Sequence, residues 1–435
     1  MMFSRYTSAP LFCFFFVVFY CVNSISSRDP TSVFFNPRVG YTPRYSAIRK
    51  AQADDFVFAT ANGSTSVEPV AKNVKKKLCV GIPSVARDGP RYIDTAVGSL
   101  LEGLTPEERS EIYLVVFVPH PEPTVHSAYN EKWLPDLADE VLTYGFGPDV
   151  MQHIRNMEAE GGLYREKGLY DWRFLVQKCY EKDIPYIAIL EDDVVAMDGW
   201  YHRTMAGVED AERMSAEMRA KPEFLYLRMF YTEEYLGWNS EYWRMYLYNS
   251  LIAFTILVVA LLLFRTTSLA AKRFLTLRAM MFVLLMLTAF IGLFFAIGRL
   301  STFPIPEGVN EMEEFGCCKQ GYVFPREKAM QLAEYFEERR FGFVDVIIED
   351  FANIHRELRW AITPSVLQHL GRTSSIFDSQ GPDRKSELSV AERIWSFSFE
   401  RLNPKSLREE HWRATHQGPG SVQDHKKANF AHTIP

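Results

Sequence analysis

The sequence lacks several features that would have indicated its function class directly. Its 435 residues contain no basic block of the kind that binds nucleic acid and no acidic tail, and the net charge of −6 is mild. The C-x-x-C spacing of a metal knot is absent, and only ten histidines occur. We therefore expect no nucleic-acid partner and no cysteine-based zinc framework.

Hydrophobic residues are plentiful, at 47%, but they are concentrated in three long runs. The first run is LFCFFFVVFYCV, from Leu11 to Val22. It is shorter than the roughly 20 residues that a membrane span needs. Residues 1–24 therefore predict either a cleaved signal peptide or a signal anchor, and both would direct the following chain into the secretory lumen.

The other two runs, Leu247 to Phe264 and Met280 to Ile297, contain no charged residue. Each is long enough to cross a hydrocarbon core, whereas a soluble helix of this length normally has a polar face. The alternative is a pair of buried core helices. The loop between the runs, 265–278, has no acid and carries four basic residues, which are Arg265, Lys272, Arg273 and Arg278.

The positive-inside rule places this basic loop in the cytosol, so both flanks of the pair become luminal. Residues 246–298 are thus predicted to form a transmembrane hairpin, and the chain on either side of it can still build one domain. In the lumen disulfides persist. Four cysteines fall in predicted luminal segments, and the adjacent pair is expected to find separate partners; these cysteines are Cys79, Cys179, Cys317 and Cys318. Asn62 begins the N-glycosylation pattern NGS.

The luminal segments predict an α/β fold. Residues 25–75 are polar and predict a stem, and LCVGIP, EIYLVVFVP and PYIAIL predict buried strands separated by amphipathic helices. This alternation is typical of a mainly parallel sheet, which binds ligands at the carboxyl ends of its strands. After the hairpin, the run Val344 to Ile348 predicts a further strand, and 373–435 predicts a polar tail.

Three consecutive acids, Glu191, Asp192 and Asp193, follow the strand PYIAIL. The alternative to a functional site is a solvated acidic turn. Carboxylates packed in a crevice raise one another's pKa unless a cation neutralises them. Mn²⁺ and Mg²⁺ prefer carboxylate oxygens, and such ions complete their shell with water and substrate phosphates. The triplet therefore predicts a site for a metal and a nucleotide diphosphate.

A second acidic pair, Glu349 and Asp350, follows the later apolar run. It predicts either a general base or an acid pair at a helix N-terminus that is stabilised by the helix dipole. His369, considered alone, is typical of a core histidine.

Four segments together resemble GT-A-type glycosyltransferases: GIPSVAR, ILEDDVV, VIIED and VLQHLG, in this order. Their interruption by a hairpin with a basic loop resembles the Golgi family of post-GPI-attachment GalNAc transferases. The resemblance covers roughly Leu78 to Arg372. It implies a Rossmann-like GT-A domain in two parts, 76–245 and 299–372, split by the hairpin.

The resemblance also implies residue roles. Asp193 would bind the metal, Glu191 or Asp192 would bind the ribose or a metal-bound water, and His369 would be a further metal ligand. The first acid is Glu rather than the family's Asp. Asp350 would be the base. The remaining donor-site residues are Pro83 and Arg87 on the nucleotide-binding loop, and Gly316 and Gly321, whose alternative is an ordinary turn.

The implied function is a metal-dependent, inverting transfer of N-acetylgalactosamine from UDP-GalNAc to a mannose of a GPI-anchored acceptor. The implied location is the Golgi membrane, with several spans and a luminal catalytic domain held near the bilayer. Two alternatives remain open from the residues. One is a metal-dependent phosphodiesterase or phosphotransferase acting on a lipid-linked substrate, and the other is a non-catalytic membrane adaptor with a decayed transferase domain.

Overall fold

A computed structural model describes residues 8–64, 74–87, 89–159, 166–219, 221–267, 269–312, 318–371 and 391–416. The chain divides into two compact units. We call residues 1–42 and 233–305 the hairpin unit, and residues 43–232 and 306–435 the sheet unit. Each unit is described by itself.

The described elements are numbered in chain order. The helices are α1 (Ser8–Ser26), α2 (Pro37–Gly40), α3 (Tyr45–Ala61), α4 (Ile93–Leu101), α5 (Pro106–Glu111), α6 (Trp133–Leu137), α7 (Pro148–Ala159), α8 (Glu166–Tyr180), α9 (Trp200–Arg219), α10 (Trp243–Thr267), α11 (Leu269–Phe274), α12 (Leu277–Ala296), α13 (Arg299–Thr302), α14 (Arg326–Arg339), α15 (Val344–His355) and α16 (Pro404–His416). The strands are β1 (Leu78–Pro83), β2 (Ile112–Phe117), β3 (Glu140–Leu142), β4 (Tyr186–Leu190), β5 (Val194–Ala196), β6 (Tyr226–Arg228), β7 (Gly308–Glu311), β8 (Gly321–Pro325), β9 (Arg359–Thr363) and β10 (Leu367–His369).

The hairpin unit contains two helices, α10 and α12, that are long and apolar enough to cross a membrane. Apolar side chains cover α10 on all sides, and none of them is buried within the protein. The N-terminal helix α1 packs beside α12 through Phe15 and Phe290, whose ring centroids are 5.6 Å apart. Asp29 then accepts hydrogen bonds from the backbone and the hydroxyl of Ser301, at 2.7 and 2.6 Å. The N-terminal segment and the apolar pair therefore form one unit.

The sheet unit is built on an eight-stranded sheet with the order β3-β2-β1-β4-β8-β6-β9-β7. The first four strands pair in parallel, as the sequence predicts. The other half is mixed, because β8 runs antiparallel to both β4 and β6, β9 runs parallel to β6, and β7 runs antiparallel to β9. The prediction of an α/β fold is confirmed, but the sheet is mixed rather than mainly parallel.

Strands from the two sides of the helix pair α10 and α12, which we call the hairpin, alternate within this sheet. β4 and β6 precede the hairpin, whereas β8 and β9 follow it, and the spatial order is β4-β8-β6-β9. Backbone hydrogen bonds of the sheet therefore join the two segments, and neither segment has a complete sheet alone.

Two hydrophobic cores lie on opposite faces of the sheet. Alternate residues of β1 point to opposite faces, so Val80 enters one core and Cys79 the other. Cys79 forms a disulfide with Cys179 of α8, which ties the central strand to the helix that covers it. Gly81 faces the same helix, where a Cβ atom would lie 2.9 Å from Leu175 Cγ, so a larger residue would push α8 outward.

Two local predictions differ from the structure. Residues 25–75, predicted as a stem, contain α3, whose Tyr45, Ala53 and Val57 are buried against the sheet unit. The predicted strand from Val344 to Ile348 is wrong, because these residues begin α15. Their apolar spacing continues through Phe351 and Ala352, and this i, i+3, i+4 periodicity is helical rather than alternating.

Candidate functional site

The acidic triplet follows β4, which lies between β1 and β8 in the sheet. Asp192 and Asp193 are 4% and 9% exposed. Because β1 and β4 are parallel, the loop that follows β1 meets the triplet at the same edge of the sheet. This loop carries Ser84 and Arg87, and it places both side chains against Asp192.

Asp192 ends a buried chain of hydrogen bonds. The Ser84 hydroxyl donates to Asp192 Oδ2 at 2.7 Å, and His126 Nε2 lies 3.0 Å from the same hydroxyl oxygen. His126 Nδ1 accepts from the Ala128 backbone N–H, so the ring proton is on Nε2 and is donated to Ser84. Burial lowers the pKa of His126 to about 4, which keeps this ring neutral.

The Arg87 guanidinium donates to the other oxygen of Asp192, Oδ1, and Nη1 of Arg87 lies 3.6 Å from Asp193 Oδ2. Burial raises the pKa of Asp192 to about 7, and the neighbouring Asp193 charge adds to this rise while Arg87 opposes it. Nε and Nη1 of Arg87 are buried, and among the described residues they have no hydrogen-bond partner. This cation thus has donors to spare for an anion.

Asp193 faces His369, whose Nε2 lies 3.3 Å from Asp193 Oδ2. Strand pairing fixes this approach, because β10 runs antiparallel to β5 with His369 opposite Val194. His369 Nδ1 lies 3.1 Å from the Ile394 carbonyl, which can only accept, so Nδ1 carries a proton. At Gly371 a Cβ atom would lie 2.6 Å from both Asp193 Oδ2 and His369 Nε2, so a side chain there would fill the site.

The two side chains fit a divalent cation. Asp193 Oδ1 is buried and has no hydrogen-bond partner among the described residues. Burial would raise the pKa of Asp193, but the interactions with His369 and Arg87 outweigh it and hold the pKa at about 2. A histidine whose Nδ1–H is bonded to a backbone carbonyl presents Nε2 in the orientation common to metal ligands. The site therefore offers an ionised carboxylate and an imidazole nitrogen side by side.

Glu191 points to a different partner. Its carboxylate lies 2.5 Å from Lys319 Nζ, and its backbone N–H donates to the Gln320 carbonyl at 3.1 Å. Burial would lower the pKa of Lys319, but the charge of Glu191 outweighs it and raises the pKa. Each of the three acids thus has its own partner, which is Lys319 for Glu191, Arg87 for Asp192 and His369 for Asp193.

A small cavity of about 100 Å³ lies beside Asp192, between the loops that follow β1 and β2. Its lining combines charged, polar and aromatic groups, and it includes Ser84, Arg87, Tyr92, His126 and Asp192. The Arg87 guanidinium lies 5.3 Å from the centroid of the Tyr92 ring. A flat polar group could enter here with one face on an aromatic ring.

The two acids of the late pair, Glu349 and Asp350, lie on α15 and have different surroundings. Glu349 is buried and accepts hydrogen bonds from Tyr226, Arg228 and Arg359. Asp350 is exposed on the surface of α15. Asp345, in the first turn of α15, is one of the charges that raise the pKa of Lys319. Asp345 and Asp350 are five residues apart, or about 140° around the helix, so they point in different directions.

The other predicted donor-site residues have different surroundings. Pro83 ends β1 directly before Ser84. Gly321 begins β8, and a Cβ atom there would meet the side chains of Leu367, Leu190 and Met229, so its neighbours are apolar core residues. Gly316 and Cys317 lie outside the described residues. Cys318 is disulfide-bonded, whereas Cys13 and Cys21 are free.

A second cluster contains metal-ligating residue types, namely Glu108, His202 and His411. Both ring nitrogens of His411 already have acidic partners, because Nε2 lies 2.9 Å from Glu108 Oε2 and Nδ1 lies 3.4 Å from Asp198 Oδ1. Hydrogen bonds to Asp198 and Glu108 raise the pKa of His411 to about 9. An imidazolium between two carboxylates accounts for this cluster, which anchors α16 to the sheet unit.

Sequence reasoning missed three residues that contact the acidic triplet directly or through one partner: Ser84, His126 and Lys319. Ser84 could have been found, because it lies between Pro83 and Arg87 on a loop already predicted to bind the nucleotide. Lys319 could not, because its pairing with Glu191 depends on β8 lying beside β4 across 128 residues of chain.

Comparisons with known proteins identify the family of the chain. A family model described as GPI-N-acetylgalactosamine transferase PGAP4 matches residues 78–368, the greater part of the chain. The chain is 27% identical over 147 residues to alpha-1,3-mannosyl-glycoprotein 4-beta-N-acetylglucosaminyltransferase A of Rattus norvegicus, covering 29% of this chain and 26% of that protein. It is 28% identical over 130 residues to the corresponding enzyme B of Mus musculus, covering 27% of this chain and 24% of that protein. The chain therefore spans about a quarter of the length of these curated relatives. By the family match, the chain belongs to the GPI-N-acetylgalactosamine transferase PGAP4 family.

Proposed function

We propose that this protein is a Golgi membrane enzyme with a GT-A-type domain that transfers N-acetylgalactosamine from UDP-GalNAc to a mannose of the GPI-anchor glycan, with metal dependence and inversion. The observation that carries the proposal is the contact between Asp193 and His369 at the end of the central strand. The two residues come from opposite sides of the hairpin. The family match supports a GPI glycan as the acceptor.

The donor-binding roles follow from the unused hydrogen-bonding capacity of the site. Asp193 and His369 would hold Mn²⁺ or Mg²⁺, because Asp193 Oδ1 is an orphaned buried acceptor and His369 Nε2 faces the same point. When bound, the ion would supply positive charge for the donor diphosphate. Arg87 would supply further charge through Nε and Nη1, which have no hydrogen-bond partner in the part of the chain that the structure describes.

Part of the donor nucleoside would enter the cavity beside Asp192, which at about 100 Å³ is too small for the whole group. Asp192, held by Ser84 and Arg87, would accept a hydrogen bond from the ribose, and Tyr92 would lie against the base. Glu191 keeps its role as a candidate for the ribose or for a water, and in the ligand-free protein it positions Lys319.

A general base would remove the proton from the attacking mannose hydroxyl. Asp350, the residue that the family resemblance implies, is exposed on α15. Asp345 is the second candidate. We favour it because it lies in the first turn of α15, is less exposed than Asp350, and adds its charge to that of Glu191 in raising the pKa of Lys319. An inverting enzyme needs its base on the face of the sugar opposite the diphosphate, which requires a carboxylate near the acidic triplet but separate from it.

The predicted hairpin would keep the enzyme in the membrane that carries its lipid-anchored acceptor. Confinement of both partners to one bilayer raises their effective concentration, since the encounter no longer occurs in free solution. Two apolar helices of sufficient length support this proposal, and so does the basic segment between them. Asn62 and Ser64 are exposed at the end of α3, so the sequon is accessible to glycosylation in the lumen.

The proposal is tested with the full-length enzyme in detergent or nanodiscs, UDP-sugars and a mannose-containing GPI glycan. Mass spectrometry of the acceptor should show one added N-acetylhexosamine with UDP-GalNAc, and less or none with UDP-GlcNAc or UDP-galactose. Chelation with EDTA should abolish the transfer and Mn²⁺ should restore it. Anomeric analysis should show a β-linked product from the α-linked donor. Transfer that is unaffected by chelation, or retention of the α configuration, would contradict the mechanism.

A further inference from the structure

The loop that follows β1 carries Ser84 and Arg87, and its backbone is attached to the segment that follows β2. The Ser84 N–H donates to the Phe117 carbonyl at 2.8 Å. Two residues further along the loop, the Ala86 N–H donates to the side chain of His120 at 2.8 Å. Ala86 directly precedes Arg87 and also lines the cavity beside Asp192. The position of the Arg87 guanidinium therefore depends on how firmly Ala86 is held.

His120 has one defined protonation pattern in this contact. A backbone N–H can only donate, so the Nε2 atom of His120 accepts, and the proton of the neutral ring is on Nδ1. Nδ1 in turn lies 2.7 Å from Oε1 of Glu158, a carboxylate that can only accept. The side chain of His120 is 10% exposed and is therefore largely shielded from water, whereas the side chain of Glu158 is 28% exposed and borders an open cavity.

Glu158 lies near the end of α7, on the opposite side of His120 from the loop. Its carboxylate fixes the ring orientation and the tautomer, as a carboxylate does for a histidine that ligates a metal. The three groups form a chain from α7 to the donor loop: Glu158, His120 and the Ala86 N–H. We name this chain the His120 brace.

We propose that His120 is a positioning residue for the sugar-nucleotide donor, which acts by fixing Ala86 and hence Arg87. The inference rests on the proposed function for its donor part. His120 would thus influence donor affinity although it contacts neither the acidic triplet nor the donor. Because Arg87 would contact the diphosphate both before and during transfer, a displaced loop weakens both states about equally. The effect is therefore on KM rather than on kcat.

Two isosteric variants separate the two contacts of the ring. The amide oxygen of Gln in His120→Gln reaches the position of Nε2 and can still accept from Ala86. The amide of Asn in His120→Asn reaches only the position of Nδ1 and keeps the contact with Glu158. A purely structural role would make both variants equally harmful, whereas the brace predicts that only the Gln variant retains function. His153→Ala is the matched control, since His153 is an exposed histidine on the same helix α7 as Glu158.

The first measurement is amide hydrogen exchange of the full-length, ligand-free protein, which does not depend on the enzyme's substrate. Exchange at Ala86 should rise about tenfold in His120→Ala and His120→Asn, as expected for loss of one hydrogen bond. It should stay near the wild-type rate in His120→Gln and in the His153 control. Unchanged exchange in His120→Asn would overturn the brace, whatever the enzyme's donor.

The second measurement is steady-state transfer with UDP-GalNAc and Mn²⁺. The donor KM should rise about five- to tenfold in His120→Ala and His120→Asn, with kcat within about twofold of wild type. Glu158→Ala should shift KM in the same direction by a smaller factor. A loss confined to kcat would overturn the positioning role. If calorimetry shows that the wild-type protein binds no UDP, the proposed function is wrong, and so is the donor part of this inference. The hydrogen-exchange measurement would then still test whether His120 holds the Ala86 N–H.

Discussion

Replacement of Glu349 by alanine should destabilise the sheet unit strongly. Glu349 Oε1 accepts from Arg228 Nη2 at 2.7 Å and from the Tyr226 hydroxyl at 2.6 Å, and Oε2 accepts from Arg359 Nη1 at 2.9 Å. Arg228 is fully buried, and its guanidinium lies 4.8 Å from the centroid of the Tyr322 ring. Truncation of Glu349 leaves this buried cation without its carboxylate.

The expected cost follows from the burial of both partners. Removal of one member of a buried ion pair typically costs about 3–5 kcal/mol, because the remaining charge is uncompensated. With an unfolding entropy of about 2.1 cal/mol/K per residue, each kcal/mol lowers the Tm of a unit of this size by about 1.5 °C, which gives a decrease of about 4–8 °C. Asp350→Ala removes the neighbouring, exposed carboxylate and should change the free energy of unfolding by less than about 0.5 kcal/mol.

The assay is thermal unfolding of the full-length protein in detergent, followed by intrinsic fluorescence at one fixed scan rate, since unfolding of such proteins is often irreversible. The double variant Glu349→Leu with Arg228→Met removes both charges, and it should recover much of the lost Tm. Arg359 still bonds Asn353, at 2.7 Å, in that variant. A single variant as stable as Asp350→Ala, or a double variant less stable than Glu349→Ala, would refute the assignment of a buried charge pair.

Three further predictions concern other parts of the sheet unit. The double change Cys79→Ala with Cys179→Ala should lower the free energy of unfolding by about 2–5 kcal/mol. Reductant should lower the Tm of the wild type more than that of the variant, which keeps the disulfide of Cys318, and equal sensitivity of both would contradict the Cys79–Cys179 bond. The pKa of His411 is about 9 in the folded protein, above its ordinary value of 6.5. Protonated His411 therefore adds up to about 3 kcal/mol to the free energy of unfolding below pH 6.5, and this contribution is lost as the pH rises through 9. The Tm difference between wild type and His411→Gln should therefore shrink between pH 6.5 and 10, and a constant difference would contradict the ion pairs. Asp345→Asn should lower kcat by about 10²-fold or more while Asp350→Asn changes it little, and the reverse order would restore Asp350 as the base.

The sequence predicted those parts of the fold that depend on local patterns. The strands β1, β2 and β4 and the helix α8 were predicted from apolar runs and helical periodicity, and the structure has all four. The two apolar helices were predicted from their length and lack of charge. In each case the signal lies within about 20 consecutive residues, where the period of the side chains is decisive.

Pairing between distant strands could not be predicted in the same way. The insertion of β8 between β4 and β6 depends on contacts across the hairpin, and no local pattern encodes that order. The partners Lys319 for Glu191 and Ser84 for Asp192 follow from this arrangement. The apolar run before Glu349 and Asp350 shows that a short local pattern can also be ambiguous between strand and helix. A run of five apolar and acidic residues fits a strand or a helix, and only the longer pattern through Ala352 identifies α15.

The central claim is that chain segments on the two sides of the hairpin build one cation site, with Asp193 from one side and His369 from the other. Electron paramagnetic resonance of Mn²⁺, titrated into the full-length protein with UDP present, tests this claim directly. Wild-type protein should bind one Mn²⁺, and both Asp193→Asn and His369→Ala should weaken this binding about tenfold or more, while His153→Ala should not. Binding of equal affinity in the wild type, Asp193→Asn and His369→Ala would contradict the account.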